Sequence, residues 1–119
     1  MISYTPGMNI NSLEFQPYDT SDGGALETDG DLKTEVTVDH QDEVCMGGLF
    51  RQVKGRAEII WPATEHAFVL EGEVSIYYHE EQKTVVYGPG DGWLIKKGER
   101  VSWTVTSETF MKSYFLIIE

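Results

Sequence analysis

The chain has 119 residues, the size of one domain and too short for two, yet long enough to bury a hydrophobic core without covalent staples. Twenty acidic against nine basic residues leave a net charge of −11, and Lys96-Lys97 is the one adjacent basic pair, which argues against nucleic acid and anionic membranes as partners. Cys45 is the single cysteine, so an intrachain disulfide and a thiolate-rich metal cluster are both excluded.

Residues 1–11 show neither the basic nor the apolar region of a secretory signal, and no apolar run approaches the ~20 residues that a spanning helix needs. The expectation is a soluble, cytoplasmic protein. Residues 1–31 are polar and rich in turns, with Pro6-Gly7, Pro17, Asp22-Gly23-Gly24 and Asp29-Gly30-Asp31. Residues 2–4 and 13–15 read either as short strands tied to an edge or as a loose tail. Ile2, Tyr4, Ile10, Leu13 and Phe15 imply that this N-terminal segment packs on the body or on a partner subunit.

The body, residues 32–119, is a train of short apolar segments. In 32–39, Thr34, Val36 and Val38 share one side and Lys33, Glu35 and Thr37 the other, the period of two of a half-buried strand. Further strands are predicted at 49–53, 56–61, 65–70, 73–79, 83–87, 92–95, 101–106 and 110–118. Turns fall at Lys54-Gly55, 62–64, Glu71-Gly72, Gly88-Pro89-Gly90 and Lys97-Gly98. No helical apolar stripe runs beyond ten residues. Many short, evenly spaced strands mean an all-β sandwich or barrel. Gly72 is expected at positive φ in a tight hairpin between 65–70 and 73–79.

Two stretches carry a resemblance. In Trp61-Pro62-Ala63-Thr64-Glu65-His66-Ala67-Phe68-Val69-Leu70-Glu71-Gly72-Glu73, Glu65 and Gly72 stand six residues apart, and Gly90-Asp91-Gly92-Trp93-Leu94-Ile95-Lys96-Lys97-Gly98 keeps two glycines at fixed spacing. These resemble the first and second motifs of the cupins over roughly residues 45–116. Trp103-Thr104-Val105 and Lys112-Ser113-Tyr114 resemble the subgroup related to ureidoglycine aminohydrolase and the ethanolamine-utilisation cupin. The resemblance implies an RmlC-like jelly-roll barrel, a double-stranded β-helix around one pocket.

The departures bear on chemistry. Metal-binding cupins hold their ion with three His and one Glu. Here the first His pair falls at Glu58 and Ile60, or at Ile59 and Trp61, and the last His at Val101, so Glu65 alone survives. One carboxylate does not hold a transition metal. His66 is no substitute, because adjacent strand residues face opposite ways. No cofactor is expected; the alternative is a divalent ion held weakly by Glu58 and Glu65.

Alternation turns Glu65, Ala67 and Val69 inward with Val101, Trp103 and Val105, and His66, Phe68 and Leu70 outward. The expected ligand pocket comprises Glu58, Glu65, Val101, Trp103 and Arg51, with Glu65 as the candidate catalytic residue. Glu65 is either a ligand or catalytic group, or half of an ion pair with Arg51, Arg56 or Lys112. Lys112 otherwise reads as one half of a surface pair, Arg51 and Arg56 as partners for Glu58 or for a ligand carboxylate, and His40 and His79 as solvated. The outward Phe68 and Leu70 imply a homodimer. The functional expectation is a metal-free cupin binding a small polar metabolite; the alternative is an aminohydrolase-like enzyme acting on a nitrogenous or carbonyl metabolite.

Overall fold

The computed structural model describes residues 1–29 and 32–118. Among the described residues, ten strands follow one short 3-10 turn, Ile10–Ser12: β1 (Gln16–Pro17), β2 (Ala25–Thr28), β3 (Thr34–Val36), β4 (His40–Gln41), β5 (Cys45–Ile60), β6 (Thr64–Glu71), β7 (Val74–Tyr78), β8 (Lys83–Tyr87), β9 (Gly92–Ile95) and β10 (Arg100–Ile117). The main sheet runs β1-β3-β5-β10-β6-β9, with β2 and β4 on β5 and the β8-β7 pair on β10. This is the expected jelly-roll barrel. No helix among the described residues is long and apolar enough to cross a membrane.

Two long strands organise everything else. The predicted 49–53 and 56–61 are one strand, β5, and 101–106 and 110–118 are one strand, β10. Lys54-Gly55 is therefore no reversal. β5 and β10 pair antiparallel from Arg100↔Ile60 to Ile117↔Cys45, with a register shift between Val105 and Thr109. That irregularity changes which side chains face inward. Val101, Trp103 and Val105 are buried before it, and Phe110, Lys112 and Tyr114 after it. A regular strand would have kept odd-numbered residues inside.

β10 also divides the barrel into its two halves. Its first part pairs with β7 through Val101↔Tyr78 to Val105↔Val74, and its second with β6 through Met111↔Glu71 to Ile117↔Thr64. β6 and β7 thus lie end to end along one strand, so Gly72 turns a corner between them instead of closing the expected hairpin. Its φ of 82° is left-handed as predicted. β6 continues to β9 through Glu65↔Ile95 to Phe68↔Gly92.

The N-terminal segment differs most from expectation. Residues 2–4 and 13–15 form no strands; two residues of β1 pair with β3, and the unpredicted β2 pairs with β5. The predicted strand over 32–39 shrinks to β3. Gly30 and Asp31 of the turn expected at Asp29-Gly30-Asp31, and with them the boundary at residue 31, lie outside the described residues. The segment packs on its own barrel: the Arg51 guanidinium sits 3.8 Å from the centre of the Phe15 ring, Asn11 Nδ2 donates to Glu71, and Tyr4 Oη donates to Asp39.

A side chain at Gly72 would collide with the Thr109 carbonyl oxygen and crowd Ser107, whereas one at Gly90, with φ of 92°, would meet open space. Gly90→Ala should cost only the left-handed backbone penalty of about 1–2 kcal/mol. Gly72→Ala should cost clearly more, because the corner itself must move. Urea denaturation of the two variants measures the difference, and equal losses would show that the corner is not tightly packed.

Candidate ligand-binding site

Inside the barrel lies a cavity of about 100 Å³. Met46, Phe50, Ala57 and Ile59 of β5 line it with Trp103, Lys112, Tyr114 and Leu116 of β10 and Glu65 of β6. Tyr18, Thr20, Gly23 and Ala25 close one side. The two long strands therefore supply about half of the wall, and the N-terminal segment, β3, β6 and the turn after β5 supply the rest.

The polar centre is an ion pair. Lys112 Nζ lies 2.9 Å from Glu65 Oε2 and 3.1 Å from Oε1, and the two side chains are 6 % and 5 % exposed. Desolvating two ions costs several kcal/mol each, which only close pairing and added hydrogen bonds can offset. Trp93 Nε1 donates to Glu65 Oε1 at 2.8 Å, giving the carboxylate a third donor contact. The ammonium lies 4.9 Å from the ring centres of Phe50 and Trp103, 5.3 Å from Trp61 and 5.5 Å from Trp93. At that range each ring face attracts a cation, more strongly where water is excluded.

Trp103 holds this cage together. Its ring meets Phe50, Trp61, Trp93 and Phe110 at centroid distances of 5.4–6.3 Å, mostly edge to face. Each such pair contributes about 0.5–1.5 kcal/mol beyond burial. Trp103 Nε1 donates to Gln52 Oε1 at 2.9 Å, and Gln52 Nε2 donates to the Gly55 carbonyl. The Trp93 and Trp103 indole N–H groups are thus satisfied from within the barrel.

The structure brings together two of the five expected pocket residues, Glu65 and Trp103. Val101 is fully buried but belongs to the core behind the cavity wall. Glu58 faces the other side of β5 from Ala57 and Ile59; it pairs with Arg56 at 2.9 Å and with His79 Nε2 at 3.2 Å. Burial pushes the Glu58 carboxyl up, but hydrogen bonds with Ser102 and His79 and the charges of His79 and Arg56 outweigh it, leaving it below its ordinary value. Arg51 pairs with Glu35 at 2.9 Å, away from the cavity. His79, expected in solvent, is engaged by Glu58 and by Ser102 at 2.9 Å; His40 is exposed beside Asp42. Of the three cations offered as partners for Glu65, Lys112 is the one that pairs with it, and it is buried instead of lying in a surface pair. Its inward direction follows from the register shift in β10, which no local pattern announces.

A cupin metal centre does not fit these residues. Glu65 spends both oxygens on Lys112 and Trp93, Glu58 lies on the opposite face of the sheet, and Val101 offers no donor. The cation beside Glu65 is a side-chain ammonium.

These features define a small jelly-roll barrel with an aromatic pocket built around an internal ion pair. The EutQ-like cupin domain family matches residues 35–114, and the chain belongs to that family. No curated protein matches it in sequence. Among solved structures, it is similar to the EutQ protein of Clostridium difficile, with 12 % identity, a TM-score of 0.68, and coverage of 92 % of this chain and 84 % of that one. A cupin superfamily protein from Desulfitobacterium hafniense aligns with TM-score 0.62 and 15 % identity, over 72 % and 78 % of the two chains. The polyketide cyclase RemF of Streptomyces resistomycificus aligns with TM-score 0.67 and 14 % identity, over 100 % and 81 %. At such identities the likeness is one of fold.

The ion pair makes a stability prediction. Glu65→Gln leaves the Lys112 ammonium buried without a counter-charge and should cost ~3–5 kcal/mol in chemical denaturation. Replacing both partners together, Glu65→Leu with Lys112→Met, should recover most of that loss. A stable Glu65→Gln single variant would show that the ammonium does not depend on this carboxylate.

Proposed function

We propose that this cupin binds a small metabolite in its barrel pocket and uses no transition-metal centre to do so. The observation that carries this reading is the partly open barrel cavity whose sole carboxylate is neutralised by Lys112. A concave, mostly apolar cavity with a few convergent polar groups is the usual form of a small-molecule site. The alternative of an aminohydrolase-like enzyme with a divalent ion on Glu58 and Glu65 lacks a donor set, since those carboxylates point to opposite faces.

The reading includes assembly as a homodimer. On the outer face of β9, β6 and β10, Leu94, Phe68, Phe115 and Ile117 are all exposed, and the register sets His66 beside both Leu94 and Phe115. A contiguous apolar face of this kind on a small barrel is most simply covered by two-fold pairing.

Two measurements test these statements. Incubation with a strong chelator should leave the melting temperature unchanged, and a fall of several degrees restored by one divalent ion would overturn the metal-free reading. The mass in solution at micromolar concentration should be that of a dimer, and Phe115→Glu should shift it to the monomer. A monomeric wild type removes the pairing proposal but leaves the pocket untouched.

A further inference from the structure

We infer that the pocket selects an uncharged ligand of single-ring size or smaller, which presents one hydrogen-bond-accepting oxygen to the Lys112 ammonium. The inference rests on the binding reading above and adds the chemical class of the ligand.

Charge comes first. Among the residues lining the cavity, Lys112 and Glu65 are the charged ones, and they neutralise each other. A ligand carboxylate or phosphate would place a second negative charge against Glu65 in a medium where charges are poorly screened. A ligand cation would face the ammonium, and the ring faces that would welcome it already hold Lys112. The wall that Tyr18 closes adds to the discrimination against anions. Burial pushes the Tyr18 phenol up to about 12, and the charges of Asp22, Glu65 and Asp19 push in the same direction, so acidic groups surround this wall. The whole chain, at −11, repels anions as well.

Hydrogen-bond accounting gives the recognition element. The Trp93 and Trp103 indoles donate to Glu65 and Gln52, the Gln52 amide donates to the Gly55 carbonyl, and the Thr34 hydroxyl donates to the Tyr18 carbonyl. Lys112 carries three N–H groups and meets two oxygens, both of Glu65. Its remaining N–H meets no further acceptor among the described residues, and the Tyr18 hydroxyl and Trp61 indole N–H in the same lining are neutral donors that could share the ligand oxygen. A carbonyl, amide or ether oxygen is a better acceptor than a ring face, and it satisfies this donor without upsetting the charge balance. Size points the same way. An engineered apolar cavity of about 150 Å³ in another protein takes benzene, so the interior of about 100 Å³ suits one small ring. Phe50, Trp61, Ile59 and Met46 supply the apolar contact for the rest of the molecule.

Four probes of equal size separate these terms: cyclopentanone, isobutyrate, cyclopentylammonium and methylcyclopentane. Each is titrated into the full-length chain while the indole N–H signals of Trp61, Trp93 and Trp103 are followed by NMR. Cyclopentanone should shift these signals, with isobutyrate and cyclopentylammonium at least tenfold weaker and methylcyclopentane intermediate. The double variant Glu65→Gln with Lys112→Met should lose the preference of cyclopentanone over methylcyclopentane; if it does not fold, the wild-type series still decides. Isobutyrate or cyclopentylammonium binding as well as cyclopentanone would overturn the inference and leave the binding reading standing. So would a silent probe series alongside shifts of the same signals by other compounds of a metabolite library. Silence of the indole signals toward the probes and the library alike would overturn both.

Discussion

A lysine and a glutamate buried together inside a barrel set the terms for everything around them. Their strands are neighbours, but the residues are not direct cross-strand partners: Glu65 pairs with Leu116 and Lys112 with Val69. Four residues of strand, roughly 13 Å at strand spacing, separate the two positions, and the long side chains lean toward each other along the interior. An ion pair so deep survives only if its surroundings supply further hydrogen bonds and exclude water. Trp93 supplies one bond, and four aromatic rings form the dry cage. The cage in turn needs β5 and β10 to run unbroken past both halves of the barrel, because Phe50 and Trp103 come from those strands.

The same pair occupies the place where the cupin metal motif would put its ion. A transition metal would be held by imidazoles around one glutamate. In this chain the glutamate is kept, the imidazole positions are filled by Glu58 or Ile59, Ile60 or Trp61, and Val101, and the positive charge arrives on a side chain from β10. An ammonium is a point charge with directional donors and no open coordination sites. It can orient an acceptor and balance a carboxylate. Lewis-acid chemistry would need a different donor set.

Polar groups elsewhere follow the same rule of internal satisfaction. Among the described residues no buried side-chain nitrogen or oxygen lacks a partner. The outer cluster of Arg56, Glu58, His79 and Ser102 knits β5, β7 and β10 on the face away from the cavity. The N-terminal segment is tied down through Tyr18, Phe15 and Asn11. Tyr18 stands at the boundary between structural and functional roles. Its ring packs edge to face on Phe50 at 6.2 Å and also lines the cavity, so the segment that closes the barrel helps to shape the pocket.

Strand content, the cupin resemblance and the inward direction of Glu65 and Trp103 were legible in the chain itself. Each depends on local information: the period of two, the Glu65–Gly72 spacing and the glycine turns. The expectation of a pocket with Glu65 in its wall needed nothing more. What the residues could not announce was the register shift between Val105 and Thr109, and most of the misplacements trace to long-range geometry of this kind. Lys112 read two ways, as half of a surface pair or as one of three candidate partners for Glu65, because its two flanking segments read as separate strands; pairing with β5 and β6 across the register shift turns it inward and selects the second. Gly72 read as a hairpin glycine because its flanking strands are consecutive, whereas both pair with β10. Glu58 and Arg51 read as pocket residues because they are polar and near the motif, but strand alternation and the partners Arg56 and Glu35 hold them outside. A strand's period is written in its own residues. Its phase relative to the core, and so the identity of the one buried cation, is decided by the strands it pairs with.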